Sequence, residues 1–301
     1  MSAAICATNL SKRFRNAPVL DGLNLDVPLG SVFALIGSNG AGKTTTIKIL
    51  MNFIKASSGQ AEVLGVDSRK IGPLDLTQIG YVSENQEMPE WMTVGYLLAY
   101  LKPFYPSWDD ARAEELVRQF ELPRGRILRR LSRGMRMKAA LASSLAYRPR
   151  LLVLDEPFSG LDPVMREDLI AGLLDSAAET TIFISSHDLS DIETFASHIG
   201  YLADGRLQFS EEMTSLAARF REIEIALRAP PILPVDGEWP ATWLAPQTTH
   251  VMVRFVETQF DEERTTNEIG RVFREVRHIS VKPLPLRSIF LALARGRSKA
   301  A

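Results

Sequence analysis

Short apolar runs bounded by turn residues recur through the first two thirds of the chain. Residues 32–36, 151–154 and 181–184 are apolar at nearly every position. Runs of this length and composition are typical of parallel strands whose two faces are both covered. The pattern predicts an α/β fold on a central parallel sheet, with a helix over residues 45–51 soon after the first run.

The apolar spacing becomes helical between residues 88 and 148. Apolar positions recur there every three or four residues, which indicates helices that bury one face. Ser107 and Asp109 supply N-cap chemistry near the start of the second helix. We therefore expect an inserted helical subdomain. The spacing is carried by Tyr96, Leu97, Tyr100 and Leu101 in the first helix and by Ala113, Leu116, Val117 and Phe120 in the second.

Further strand signals lie toward both ends of the chain. Residues 5–27 predict short strands joined by turns, which with strands at 60–64 and 77–82 form an antiparallel β subdomain and one more sheet strand. The composition changes near Met213, and we predict two domains, 1–214 and a small α+β domain at 215–301. In the second domain we expect strands at 222–227, 250–256 and 279–281, helices at 266–276 and 288–294, and a Pro-rich connector at 229–234.

The bulk composition is that of a globular protein. The chain has 301 residues, 46% of them hydrophobic, and a formal net charge of -1, so charge gives no sign of a nucleic-acid partner. Its single cysteine, Cys6, excludes an intramolecular disulfide and suits a reducing compartment. We find neither an apolar stretch of about 18 residues nor a signal-peptide pattern. We expect a cytoplasmic protein that reaches a membrane only through a partner.

The segment between the first apolar run and its helix carries the strongest chemical signal. It fits G-x-x-x-x-G-K-[ST], in which glycines let several backbone N–H groups face one anion and a helix N-terminus adds positive charge. Lys43 is placed to reach the terminal phosphates of a nucleotide, and the Thr44 hydroxyl to hold Mg²⁺. The alternative is a glycine-rich turn beside a lysine. The predicted nucleotide-binding residues are Gly37, Ser38, Asn39, Gly40, Ala41, Gly42, Lys43, Thr44 and Thr45.

Two carboxylates follow the second apolar run. Asp155 stands where the aspartate of P-loop NTPases holds the Mg²⁺ shell, and Glu156 is placed to polarise an attacking water. The alternative is a strand followed by a solvated acidic turn. The phosphate-binding pattern upstream favours a nucleotide hydrolase.

From about Thr8 to Leu207, the order and spacing of several motifs resemble the ATP-binding subunit of ABC transporters. Residues 131–135 look like the signature, 158–162 the D-loop, 185–188 the switch-histidine segment and 80–84 the Q-loop. By this resemblance Phe14 stacks on adenine and His187 contacts the γ-phosphate; the alternatives are a core phenylalanine and a structural histidine. The signature and dimer residues are Ser132, Arg133, Gly134, Met135, Ser159 and Asp162, of which Ser159 and Asp162 have a simple turn as their alternative.

The chain departs from the family pattern in the signature and in the Q-loop. Arg133 and Met135 replace a glycine and the glutamine of the usual L-S-G-G-Q, whereas Ser132 and Gly134 are kept. We expect a working signature with extra positive charge near the site or on the dimer surface. Glu84 stands where the family usually has glutamine, which keeps an oxygen ligand for Mg²⁺ but adds a negative charge; Gln86 is the alternative ligand.

The resemblance implies an ABC ATPase that uses ATP and Mg²⁺ to power transport, with export favoured by similarity to bacterial exporter-like subunits. Lys43, Glu156 and His187 are its expected catalytic residues. Two such domains, identical or not, would close head to tail around two ATP molecules. They would dock on separately encoded transmembrane subunits at the inner face of the cell membrane.

Two alternatives concern the function of the whole chain, and a third question concerns the role of its C-terminal domain. One P-loop and no heptad array argue against a soluble ABC protein that acts on nucleic acid or ribosomes. A nucleotide-dependent regulator that hydrolyses poorly is the second alternative, which the arginine in the signature keeps open. The C-terminal domain is expected to support the dimer by packing, with a ligand or a regulatory protein as its other partners.

Overall fold

The computed structural model describes residues 3–15, 17–230 and 239–297. The chain divides into two compact units, Met1–Ser210 and Glu211–Ala301. The predicted boundary after residue 214 falls within a helix, Met213–Arg219, four residues beyond this division. The predicted Pro-rich connector at 229–234 lies largely outside the described residues.

The first unit alternates strands and helices in the order that the apolar pattern predicts. Its strands are β1 Ala3–Phe14, β2 Ala17–Pro28, β3 Val32–Ile36, β4 Ser58–Val63, β5 Val66–Asp67, β6 Ile79–Ser83, β7 Leu151–Asp155, β8 Thr181–Ser186, β9 His198–Ala203 and β10 Arg206–Glu212, the last of which runs into the second unit. Its helices are α1 Lys43–Leu50, α2 Pro73–Leu76, α3 Val94–Leu101, α4 Asp110–Gln119, α5 Arg133–Leu145 and α6 Pro163–Ala177.

A parallel sheet forms the centre of the first unit. Among the described residues its strand order is β10-β9-β3-β8-β7-β6, and neighbouring strands from β9 to β6 are parallel. Every residue of β3, β7 and β8 is buried, as expected for strands covered on both faces. Parallel register brings Ile36 beside Ser186 and Asp155 beside Ser185. The segments that follow these three strands therefore meet at one edge of the sheet, and the predicted α/β fold is confirmed.

An antiparallel sheet of order β2-β1-β4-β5 packs over the parallel one. The prediction of short strands over residues 5–27 is wrong in length, because β1 and β2 each run for 12 residues. Register shifts along their pairing interrupt the regular alternation of faces, so one long strand has the pattern of several short ones. One buried cluster joins Ile5 and Val27 of this sheet to Phe33 and Phe183 of the parallel sheet and to Ile47 of α1.

Helices α3, α4 and α5 form the predicted helical insertion. Asp109 caps α4 by accepting a hydrogen bond from the Arg112 N–H, as predicted, whereas the Ser107 hydroxyl donates to the Tyr147 carbonyl 2.7 Å away. On α3 Leu97 is buried and Leu101 is half-buried, but Tyr96 and Tyr100 are exposed. The four positions predicted to share a face therefore divide between the core and the surface.

The second unit is an antiparallel sheet with helices. Its elements are α7 Met213–Arg219, β11 Arg221–Leu227, β12 Trp243–Thr248, β13 Met252–Glu257, α8 Glu262–Val272, β14 Val276–Pro283 and α9 Leu286–Arg297, and its strand order is β12-β13-β11-β14. The helix predicted at 266–276 instead begins four residues earlier, where Asp261 caps it, and Val276 starts β14. Trp243, Phe255 and Phe273 stack in its core.

Gly172, inside α6, packs against the ring of Phe120, which follows α4. A Cβ built on Gly172 would lie 2.4 Å from Phe120 Cζ, and the Phe120 ring is fully buried. We expect Gly172→Ala to lower the free energy of unfolding by about 1–3 kcal/mol, because the ring must shift within a packed core. Urea denaturation of the full-length chain measures this change.

Gly270, inside α8, provides the matched control, because a Cβ built there meets no atom within 4 Å. Gly270→Ala should leave the free energy of unfolding unchanged or raise it by up to about 1 kcal/mol. Equal losses from both substitutions would contradict the packing argument.

Candidate functional site

The loop between β3 and α1 surrounds a buried ammonium group. The Lys43 side chain is only 5% exposed, and its Nζ donates to the carbonyls of Gly37 at 2.7 Å and Ser38 at 3.2 Å. The N–H of Ala41 donates to the Ser38 carbonyl at 3.1 Å and closes the turn. Helix α1 thus begins at Lys43, two residues before its predicted start, and its first N–H groups face the same loop.

Gly42 is required at the end of this loop by both conformation and space. Its φ of +109° lies in the region that disfavours residues with a side chain. A Cβ there would also lie 2.6 Å from Leu20 Cδ2 and 3.0 Å from the Val19 carbonyl oxygen. The predicted loop therefore has the conformation in which backbone N–H groups can converge on an anion.

Asp155, at the end of β7, accepts two hydroxyl hydrogen bonds on one carboxylate oxygen. Thr44 Oγ1 lies 3.0 Å from Asp155 Oδ1, and Ser185 Oγ lies 2.7 Å from the same atom. Burial raises the pKa of Asp155, and the two hydroxyl donors oppose that rise only in part. Ser185 lies in the predicted switch-histidine segment, but its contact with Asp155 was not predicted; the signal for it is a hydroxyl residue near the end of the apolar strand beside β7.

Thr44 and Asp155 fit the ligand chemistry of Mg²⁺. A hydroxyl and a carboxylate are the hard oxygen donors that Mg²⁺ prefers, and here they are adjacent. A cation would also offset the unfavourable burial of the Asp155 charge. Within the described residues, no group of three or more His, Cys, Asp or Glu side chains could hold a metal ion.

Glu156 links the buried lysine to the histidine. Its Oε1 lies 3.0 Å from Lys43 Nζ, and its Oε2 lies 2.7 Å from His187 Nδ1. The φ of Glu156 is +53°, an unfavourable backbone conformation for a residue with a side chain. The Ser185 Oγ accepts the Glu156 N–H at 3.0 Å and holds this conformation. The three residues predicted as catalytic are therefore in contact.

A second group of predicted residues lies around the N-terminus of α5. Ser132 is the N-cap, with its Oγ accepting the Met135 N–H at 3.2 Å. Gly134 is buried, and a Cβ there would lie 3.1 Å from Met165 Cγ. Asp162 caps α6 through the Met165 N–H at 3.0 Å. Two helix N-termini are therefore capped side by side.

Glu84 follows β6 and is bound by two donors. Its Oε1 accepts hydrogen bonds from Ser159 Oγ at 2.8 Å and from the Arg133 guanidinium, with which it also forms an ion pair. Partial burial opposes ionisation, but the hydrogen bonds from Ser159 and Arg133 outweigh it and lower the pKa of Glu84. The predicted role of Glu84 as a metal ligand stays a prediction, as does that of Gln86, whose Oε1 accepts the Ser83 N–H at 3.3 Å.

Phe14, the last residue of β1, is 47% exposed, and Lys12 Nζ lies 4.8 Å from its ring centroid. The alternative that Phe14 is a core residue is therefore wrong. Stacking of this exposed ring on adenine stays a prediction.

The chain is similar to known proteins along much of its length. A family described as "ABC transporter" matches residues 20–159. The "ABC transporter ATP-binding protein YtrB" of Bacillus subtilis (strain 168) is 35% identical over 219 residues, which cover 72% of this chain and 75% of that protein. The "Daunorubicin/doxorubicin resistance ATP-binding protein DrrA" of Streptomyces peucetius is 30% identical and covers 96% of this chain and 92% of its own. A solved "Structure of ATP binding subunit of ABC transporter" matches with a TM-score of 0.65 and 26% identity, over 71% of this chain and 92% of that one.

Across the described residues, no helix combines the length and the apolar character that a bilayer crossing requires.

The buried charge of Asp155 generates a stability prediction. Asparagine at this position keeps the oxygen that accepts from Thr44 and Ser185 but removes the charge. Because the pKa of Asp155 is raised above 3.8, the ionised carboxylate destabilises the fold at pH values above that raised pKa. This destabilisation is absent below the unfolded-chain value, where both states are protonated. We expect Asp155→Asn to raise Tm by about 2–4 °C near pH 8, and the gain to shrink as the pH falls toward about 4.

Calorimetry of the full-length chain without nucleotide measures this difference. Asp21, exposed and paired with Arg206 at 2.6 Å, provides the control. Asp21→Asn should change Tm by less than about 1 °C, because exposed ion pairs contribute little to stability. A gain for Asp155→Asn that grew as the pH fell would contradict the argument.

Proposed function

The chain belongs to the family of ABC transporter ATP-binding proteins, and we propose that it is the subunit whose ATP hydrolysis powers transport through a membrane partner. It is an ABC-type ATPase. The observation that carries the proposal is the continuous contact from Lys43 through Glu156 to His187, beside the Thr44–Asp155 pair. A phosphate-binding loop, a general base and its histidine partner thus share one edge of the sheet.

The triphosphate of ATP binds at the loop between β3 and α1. N–H groups of the loop and of the first turn of α1 face the phosphates, and Lys43 contributes a charge that the fold already desolvates. Thr44 and Asp155 would hold Mg²⁺, which would supply positive charge beside the phosphates. Phe14 offers its exposed ring to the adenine.

Glu156 acts as the base that orients the attacking water. Its two oxygens are fixed by different partners, Lys43 and His187, so the carboxylate has a defined direction. His187 Nδ1–H donates to Glu156 Oε2 at 2.7 Å, so the histidine helps to fix the direction of the carboxylate that orients the water. Positioning of this kind is the main contribution of a protein to phosphoryl transfer.

The nucleotide is closed in by a second copy or a related subunit. The capped N-terminus of α5 at Ser132 presents its N–H groups to a phosphate bound on the partner, and Gly134 allows close approach. Asp162 and Ser159 lie at the interface between the two subunits. ATP then favours the closed dimer because it adds contacts to that state alone, and hydrolysis removes them.

The transported substrate is selected by separately encoded transmembrane subunits. The relative named for daunorubicin and doxorubicin resistance supports export as the direction. The first unit of the chain carries the ATPase site, and the protein is peripheral on the cytoplasmic face of the membrane through its partners. The second unit supports the dimer by packing.

Glu156→Gln tests the assigned base. We expect ATP hydrolysis to fall by about 10²–10⁴-fold while ATP binding is retained, because the glutamine oxygen can still accept a hydrogen bond from Lys43 but cannot take a proton. Steady-state phosphate release and equilibrium binding of ATP measure the two effects. Glu179→Gln, an identical change at an exposed ion pair with Arg148, should leave both unchanged. A parent chain no faster than Glu156→Gln would support the poorly hydrolysing regulator instead.

Mixing two inactive variants tests whether the nucleotide is bound between copies. Consider a dimer of one Lys43→Ala copy and one Ser132→Arg copy. If each nucleotide lies between Lys43 of one copy and Ser132 of the other, one site carries both substitutions and the other site carries neither. In a 1:1 mixture we expect about a quarter of the parental activity, since half of the dimers carry one intact site of two.

The control pairs Lys43→Ala with Glu156→Gln. These residues touch within one copy, so both sites of the mixed dimer carry a defect and no activity should return. If the first mixture also stayed inactive while its variants still dimerised, binding between copies would be excluded.

A further inference from the structure

Glu84 joins three segments that border the phosphate site. Its backbone N–H donates to the Asp155 carbonyl at 2.9 Å, which fixes the end of β6 against the end of β7. Its side chain holds Ser159 Oγ at 2.8 Å and the Arg133 guanidinium. One residue therefore contacts the strand that carries Asp155, the turn after Glu156 and the first residue of α5.

Both protein partners of the Glu84 side chain are close in sequence to groups of the site. Ser159 donates its N–H to the Glu156 carbonyl at 3.3 Å, so a bond to Ser159 acts on the turn that carries the base. Arg133 directly follows Ser132, the N-cap of α5. A displacement of Glu84 would move both the base and the helix end.

The Arg133 guanidinium also rests on the turn that contains Gly160. The φ of Gly160 is +67°, and a Cβ built there would lie 2.7 Å from Arg133 Nη1. The Arg133 guanidinium therefore lies between the Glu84 carboxylate and the backbone of Gly160, which has no side chain. Its position is set by both, rather than by the ion pair alone.

Charge explains why these two residues occur together. Arg133 at the start of α5 would by itself oppose the helix dipole, and the acidic partner at Glu84 compensates for it. The pair is only partly exposed, at 45% for Arg133 and 30% for Glu84, so either charge alone would be less well solvated than at the surface. The lowered pKa of Glu84 agrees with a carboxylate that stays ionised in this pair.

We propose that Glu84 is a positioning residue which, through its ion pair with Arg133 and its bond to Ser159, holds the first turn of α5 and the turn after Glu156 in register for catalysis. The two residues act through one shared contact, so losing both should cost no more than losing one. The catalytic consequence rests on the proposed function, whereas the structural coupling does not.

A double-mutant cycle on the full-length chain tests the catalytic part. Glu84→Gln and Arg133→Gln should each lower kcat for ATP about five- to twentyfold with KM within about threefold, because the loss is in positioning and not in ground-state binding. The double variant should lose no more kcat than the worse of the two single variants, because the same contact is lost only once. Arg133→Lys keeps the charge and should retain most of the activity. Glu114→Gln, which breaks the exposed pair with Arg124, is the control and should have no effect.

Amide hydrogen exchange tests the coupling without hydrolysis. In the chain without nucleotide, Glu84→Gln should speed exchange of the Met135 and Arg136 amides in the first turn of α5 at least about threefold, and Glu114→Gln should not. Additive losses of kcat in the cycle would overturn the proposal.

An inactive parent chain would refute the proposed function alone. The exchange result would then show whether Glu84 holds the first turn of α5. Unchanged exchange in Glu84→Gln would overturn the coupling whatever the activity.

Discussion

The site depends on keeping one ammonium group charged inside the fold. Lys43 is almost wholly removed from water. Burying an ammonium group is costly unless hydrogen-bond acceptors and an opposite charge lie beside it. Two carbonyls of its own loop and the Glu156 carboxylate satisfy it. The same contacts fix the loop and the base, so stability and chemistry share one arrangement. Removing any partner would leave a buried charge that the others cannot compensate.

Topology makes this arrangement available. The strands β3, β7 and β8 are neighbours in a parallel sheet, so the loop with Lys43, the pair Asp155–Glu156 and the segment with His187 leave from the same edge. Their separations in sequence are large, but in the sheet β8 lies between β3 and β7 and pairs with both. This is the general reason why ligands bind at the carboxyl edge of such sheets.

Much of this could be predicted from local pattern. The runs that became β3, β7 and β8 are uninterrupted because both faces are covered, and the phosphate-loop spacing is strict because glycine is needed at position 42. The predicted end of α8 was wrong, because the helical spacing of Ile269 and Phe273 continues to Val276. In the structure α8 ends at Val272, and Val276 begins β14. Register shifts hid the length of β1 in the same way.

Pairings between distant residues could not be predicted. Glu84 and Arg133 each stand out in sequence as a departure from a family pattern, and nothing local indicates that they meet. The bond between Ser185 and Asp155 is hidden for the same reason, because it depends on which strands are neighbours. Tertiary contacts of this kind decide the electrostatics of the site, whereas local propensity decides its elements.

The left-handed backbone of Glu156 has a consequence for laboratory evolution. Glycine or asparagine would relax that conformation by about 1–3 kcal/mol, but either would also leave the buried Lys43 ammonium without its carboxylate partner, at a cost of about 3–5 kcal/mol. A library screened for thermal tolerance alone should therefore keep the carboxylate at this position. The strained backbone and the buried charge cannot be relieved separately.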